Sequence, residues 1–118
     1  MTKKKTMDDL ISKLRDFSED RDWEQFHSPK NLSMALTVEA AELMEILQWL
    51  TEDQSRNLDA ETLAKVKDEI GDIQIYLARI ADKLGIDLLK AADDKLQQNE
   101  EKYPVDKAKG NARKHTEL

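Results

Sequence analysis

The chain has 118 residues, 39% hydrophobic and 37% charged, with 19 Lys and Arg against 25 Asp and Glu for a net charge of −6. One domain is the prior at this length, and a large multidomain enzyme is excluded; so small a chain buries only roughly 65% of its unfolded surface, which favours an oligomer that shares its core. With no cysteine there is no disulfide framework, thiol nucleophile or Cys-based zinc site, and 3 glycines with 2 prolines are too few for the turns of a β-rich fold.

From Thr6 to about Asp22, Leu10, Ile11, Leu14 and Phe17 recur at helical spacing and predict an amphipathic first helix. The stretch from Asp22 to Lys30 breaks that rhythm, then offers Ser28 as N-cap and Pro29 at the first position of a second helix running to Leu50. Thr51 to Leu58 is polar and reads as a connection. Asp59 caps a third helix ending near Gly85, and Asp87 caps a fourth, Leu88 to about Lys102, that stops before Pro104. The expected architecture is all-α, a four-helix-bundle-type domain over residues 1–104 with a polar, flexible tail over 105–118. No run is apolar enough to span a membrane and none follows Met1 as a signal segment, so a soluble cytoplasmic protein is expected. The acidic balance argues against nucleic-acid binding.

Carboxylates interrupt two apolar stripes. Leu32, Leu36, Glu39, Leu43, Ile46 and Leu50 alternate by three and four, with a glutamate where a leucine is expected. In the third helix Val66, Ile70, Ile73, Leu77, Ile80 and Leu84 form a seam expected to be buried, flanked by Glu69 and Asp72. Glu39-x-x-Glu42 and Glu69-x-x-Asp72 each set two carboxylates about 5 to 6 Å apart at Cβ. Either pair alone is equally the pattern of a solvated face. Two pairs beside apolar stripes point to a hard divalent cation, because four uncompensated carboxylates would repel one another and take up protons. Magnesium suits oxygen ligands, with Mn2+ as a substitute. A di-iron site would need Glu-x-x-His on two helices, and the chain has one, Glu24 to His27, in the irregular stretch.

Trp49 lies seven residues after Glu42 and Tyr76 four after Asp72, positions from which a planar base could be stacked near bound phosphates. Phe17 and Phe26 read as core, and Lys30, Arg79 and the tail cations as ordinary surface charges, with phosphate contact as the alternative.

The run Arg21-Asp22-Trp23-Glu24-Gln25-Phe26-His27-Ser28-Pro29-Lys30-Asn31-Leu32, with Glu39-Ala40-Ala41-Glu42-Leu43, Gln48-Trp49, Glu69-Ile70-Gly71-Asp72-Ile73, Tyr76, Lys95, Asn99 and Tyr103-Pro104, resembles the MazG-type all-α nucleotide pyrophosphohydrolases. Within them it is most similar to the dCTP pyrophosphatase branch, over about Leu10 to Pro104. The resemblance implies a magnesium-dependent enzyme that cleaves a nucleoside triphosphate, dCTP or a modified dCTP, to the monophosphate and pyrophosphate, assembled as a dimer or dimer of dimers. It places Glu39, Glu42, Glu69 and Asp72 on the metal, and Trp23, His27, Trp49, Tyr76, Lys95 and Asn99 at the substrate. Glu42 or Glu45 is the expected general base. Leu14 stands where the branch carries a histidine near the pocket, which bears on base preference. The alternatives are a non-enzymatic helical interaction protein, or the same chemistry on dUTP or phosphoribosyl-ATP.

Overall fold

The structure is a computed structural model that describes residues 5–118. Among them are six α-helices, two short 3-10 turns and no strand. The helices are α1 (Met7–Asp20), α2 (Pro29–Leu47), α3 (Glu52–Arg56), α4 (Ala60–Lys83), α5 (Leu88–Lys102) and α6 (Val105–Ala108). The chain divides into two compact units, one ending at Gly85 and the other beginning at Ile86.

Local chemistry starts each long helix. Thr6 caps α1 with a reciprocal box to Asp9, Ser28 accepts from Asn31 N–H ahead of Pro29, Asp59 accepts from Thr62 N–H, and Asp87 accepts from Lys90 N–H. Each cap satisfies a backbone donor that the first helical turn leaves free. The predicted connection after α2 holds a helix of its own: Thr51 and Gln54 form a capping box that starts α3. Five residues show no apolar period, so the pattern alone did not predict it.

Helix α2 ends at Leu47 rather than Leu50, with Gln48 as its cap, so Trp49 lies beyond the helix whose face it was expected to share with Glu42. Helix α4 ends in a left-handed Gly85, φ +67°, whose N–H bonds to the Asp82 carbonyl.

In the first unit α4 packs mainly on α2 and also on α1. The α2 stripe is covered as expected: Leu32 is fully buried, Leu36, Glu39, Leu43 and Ile46 are half-buried, and so is Leu50 beyond the helix end. The α4 seam is covered along one side only. Val66, Ile73 and Ile80 are half-buried, whereas Ile70 and Leu84 are each 54% exposed and Leu77 is 36% exposed. With exposed Leu63 they form a heptad row, 63, 70, 77, 84, next to the buried one. The helix is apolar around more of its circumference than α2 and α1 cover.

The second unit holds α5 and α6. Its last residues form a 3-10 turn, His115–Glu117, and the His115 ring meets Tyr103 edge-on at 5.8 Å between centroids.

Candidate active site

Glu39 sits in the apolar stripe of α2, and Glu69 and Asp72, one turn apart on α4, face it. Each of the three offers a carboxylate oxygen within 4.8 Å of the others. One oxygen of Glu39 and one of Glu69 are buried without a hydrogen-bond donor. A buried acceptor left unpaired costs about 1–3 kcal/mol, more when charged. The consequence is visible in protonation: Glu69's carboxyl and burial raise the Glu39 pKa above the ordinary glutamate value, with Glu42 opposing them. Tyr76 is raised too, by burial and then by the charges of Glu39 and Asp72. Converging oxygens, two of them lacking donors, are a donor set that fits a hard divalent cation.

Glu42 lies beside Glu39 but is exposed and faces a neighbouring groove. That groove, about 430 Å³, is lined by Glu42, Glu45, Ile46, Lys65, Asp68 and Glu69. Glu69 thus borders both the three-carboxylate cluster and the groove holding both candidate bases.

On the other side of the cluster lies a largely apolar cleft of about 340 Å³. Leu14, Phe17, Trp23, His27, Ile75 and Tyr76 line it, together with Lys13, Ser18, Arg79 and Asp72. Asp72 therefore belongs to the cluster and to the cleft wall at once. The aromatic wall is braced: Phe17 meets Trp23 edge-on at 5.6 Å, Trp23 lies 6.1 Å from the His27 ring, and the Arg21 guanidinium caps Phe17 at 3.7 Å.

Trp23 is placed by the end of α1. Asp22 takes the left-handed position, φ 56°, that glycine usually fills after a helix, and the Trp23 N–H reaches back to the Ser18 carbonyl at 2.9 Å. Gln25 holds that turn through the Asp22 carbonyl and carboxylate. His27 follows the 3-10 turn Glu24–Phe26, its Nδ1 3.4 Å from the buried Ser18 hydroxyl. Burial lowers its pKa below the ordinary imidazole value, and the Arg79 charge lowers it further.

Of the residues expected at the substrate, Trp23, His27 and Tyr76 come together in this cleft. Trp49 is 86% exposed beyond the end of α2. Lys95 and Asn99 lie on α5, in the second unit.

Three further residues depart from their expected places. Phe17 is a cleft wall rather than core, and Phe26 is exposed. Arg79 is no surface charge: its side chain is 3% exposed and is held by Glu24 at 2.5 Å and Asp82 at 3.4 Å. Its register was informative, since Asp72, Tyr76 and Arg79 follow one another at four and three residues along one face of α4.

Residues 34–118 match the MazG-like family. The chain is 37% identical to dCTP pyrophosphatase 1 of Mus musculus over 115 residues, covering 96% of this chain and 68% of the mouse protein. Against dCTP pyrophosphatase 1 of Homo sapiens the figure is 36% over the same coverage. A pyrophosphatase from Archaeoglobus fulgidus, known from its crystal structure, superposes with a TM-score of 0.79 at 35% identity, over 88% of this chain and 97% of that one. The all-α architecture, the three converging carboxylates and the similarity to these pyrophosphatases place the chain among the helical nucleoside triphosphate pyrophosphohydrolases. Within them, the chain belongs to the MazG-like family.

Proposed function

We propose that this nucleoside triphosphate pyrophosphohydrolase acts with Mg2+ on dCTP or a modified dCTP, releasing the monophosphate and pyrophosphate. The observation that carries the reading is Asp72, which joins the carboxylate cluster to the aromatic cleft. A ligand whose charge lies at the cluster and whose flat ring fills the cleft has the layout of a nucleotide. The relatives named dCTP pyrophosphatase 1 support the choice of base.

Glu39, Glu69 and Asp72, with Glu42 alongside, would hold Mg2+ or, in its place, Mn2+. Bound there, the cation would offset the charge of the triphosphate that an acidic protein otherwise repels. Trp23, Tyr76 and Phe17 would sandwich the base, and neutral His27 would meet its polar edge. Glu42 or Glu45 would take the proton of a water attacking the α phosphorus, as its bond to the bridging oxygen breaks and pyrophosphate leaves. Lys95 and Asn99 are proposed contacts for phosphate and nucleoside.

Self-association as a dimer or dimer of dimers is part of the proposal. The exposed row on α4 supports it, since burying each Leu or Ile contributes about 1.5–3 kcal/mol. Trp49, so exposed on one chain, would find its cover in such an assembly. Among the described residues no helix is long and apolar enough to cross a membrane, and a cytoplasmic location without nucleic-acid binding is proposed with the acidic charge.

The test is pyrophosphate release from a panel of triphosphates, with and without Mg2+. Turnover highest on dCTP or its 5-substituted forms supports the reading. Preference for dUTP or phosphoribosyl-ATP overturns the base assignment, and no magnesium-dependent release from any substrate overturns the function.

A further inference from the structure

The segment bearing Trp23 and His27 is tied to α1 by a backbone bond from Trp23 N–H to the Ser18 carbonyl, and to α2 by the Asn31 side-chain amide, which donates to the Phe26 carbonyl. Asp72 and Tyr76, which line the same cleft, belong to α4. Among the described residues, the hydrogen bonds that join that segment to α4 all come from one side chain, Glu24. Its two carboxylate oxygens are divided between two cations: Oε1 accepts from Arg79 Nη2 at 2.5 Å, and Oε2 accepts from Lys83 Nζ. Splitting the carboxylate this way fixes its plane as well as its place.

The clamp is anchored behind. Arg79 also reaches Asp82, and Asp82 accepts a forked pair from Arg15 of α1 at 2.8 and 2.5 Å. Arg79 is almost fully buried, and its Nε has no partner, so it depends heavily on Glu24 for compensation. Glu24 lies between Trp23 and His27 in sequence, starting the 3-10 turn that Trp23 precedes and His27 follows. Any displacement of Glu24 moves both rings.

We propose that Glu24 is a positioning residue for the nucleobase cleft, its paired contacts with Arg79 and Lys83 holding Trp23 and His27 at a set distance from Asp72 and Tyr76. The inference rests on the cleft being the base site. Glu24 does not line the cleft and need not touch substrate. Its loss should therefore loosen nucleotide binding while leaving the attack on phosphorus intact.

The experiment compares Glu24→Gln, Lys83→Met, Arg79→Met and the Glu24→Gln/Arg79→Met double variant with the full-length wild-type chain. Steady-state hydrolysis is measured with Mg2+ on the substrate the wild type turns over best. A second readout needs no turnover: Trp23 emission in the free protein, in a Trp49→Phe background where Trp23 is the sole tryptophan. Glu24→Gln is expected to raise KM roughly tenfold with kcat within about twofold, and to shift Trp23 emission to the red. Lys83→Met should move both in the same direction by less. The double variant should be no worse than the poorer single one, because both remove the same clamp.

Unchanged KM and emission in folded Glu24→Gln overturn the proposal, as does a fall in kcat at constant KM or a fully additive double variant. If Glu24→Gln does not fold, Lys83→Met decides by the same readouts, since it removes the more exposed half of the clamp. A wild type that hydrolyses no triphosphate refutes the proposed function instead, and the emission arm still judges the clamp.

Discussion

Glu39 of α2 and Glu69 of α4 face each other with oxygens within 4.8 Å, and each keeps one buried oxygen that no donor reaches. Two acids placed this way oppose the fold when both are charged. Glu39 has a folded-state pKa above its ordinary value, so its contribution to stability is present below the ordinary glutamate pKa and is lost as pH rises through the folded one. At neutral pH the metal-free protein is therefore penalised here.

That penalty sets the first expectation. Saturating Mg2+ at 100 times its Kd should stabilise the protein by about 2.7 kcal/mol at pH 7.5, and by less at pH 5, where protons compete for Glu39. Glu39→Gln should raise the melting temperature of the metal-free protein, remove its response to Mg2+ and abolish hydrolysis. Differential scanning calorimetry at the two pH values checks this. An equal magnesium response in wild type and Glu39→Gln would refute the metal assignment.

The second concerns His27. Its folded-state pKa lies below the ordinary imidazole value through burial and then the Arg79 charge, with Glu24 acting the other way. Stability from neutral His27 is present above about pH 6.5 and is lost as pH falls through the folded value. The chain has 2 histidines, so the two ring signals can be followed separately in an NMR titration. His27 should titrate below 6.5, and Arg79→Met should move its midpoint upward. A midpoint at or above 6.5 in the wild type would contradict the buried, cation-flanked setting.

How far these features could be read beforehand depended on how local their causes are. Thr6, Ser28, Asp59 and Asp87 act on backbone donors three residues away, so the starts of all four long helices were legible in the chain. Glu39 announced itself by standing in a leucine's slot. For Arg79 the register shows only the face it shares with Asp72 and Tyr76; its pairing with Glu24, 55 residues earlier, is not written in the local pattern. Trp49 was misplaced for a smaller reason: the helix stops two residues short of it, and a period of 3.6 carries no information past its last turn. The double apolar row of α4 was visible as a pattern, but a pattern does not say how many neighbours a helix has.

The third expectation follows from the ion network. Asp82 is held below its ordinary pKa first by hydrogen bonds from Arg15, and Glu24 below its own first by the bond from Lys83. Their contribution is present above the ordinary carboxylate pKa and is lost as pH falls through the lowered folded values. Asp82→Ala leaves the buried Arg79 with one anion and should cost about 2–4 kcal/mol at pH 7. Near pH 3, with the carboxylates protonating, the gap between wild type and variant should shrink. Urea unfolding at both pH values measures it. A cost below about 0.5 kcal/mol at pH 7 would show that the network is no more than a surface ion pair.

The fourth tests what covers α4. Leu63, Ile70, Leu77 and Leu84 recur every seven residues and are all exposed on the single chain, although α4 is already packed on α2 and α1. A row of this period is the seam by which helices associate. Ile70→Lys places a charge in the middle of it, at a side chain that is 54% exposed on the single chain. The variant should keep its helix content by circular dichroism yet elute as a monomer where wild type forms a dimer or larger assembly, with light scattering giving the mass. If Ile70→Lys leaves the oligomeric state unchanged, the seam is not the contact. If the wild type is itself monomeric at assay concentrations, self-association is refuted.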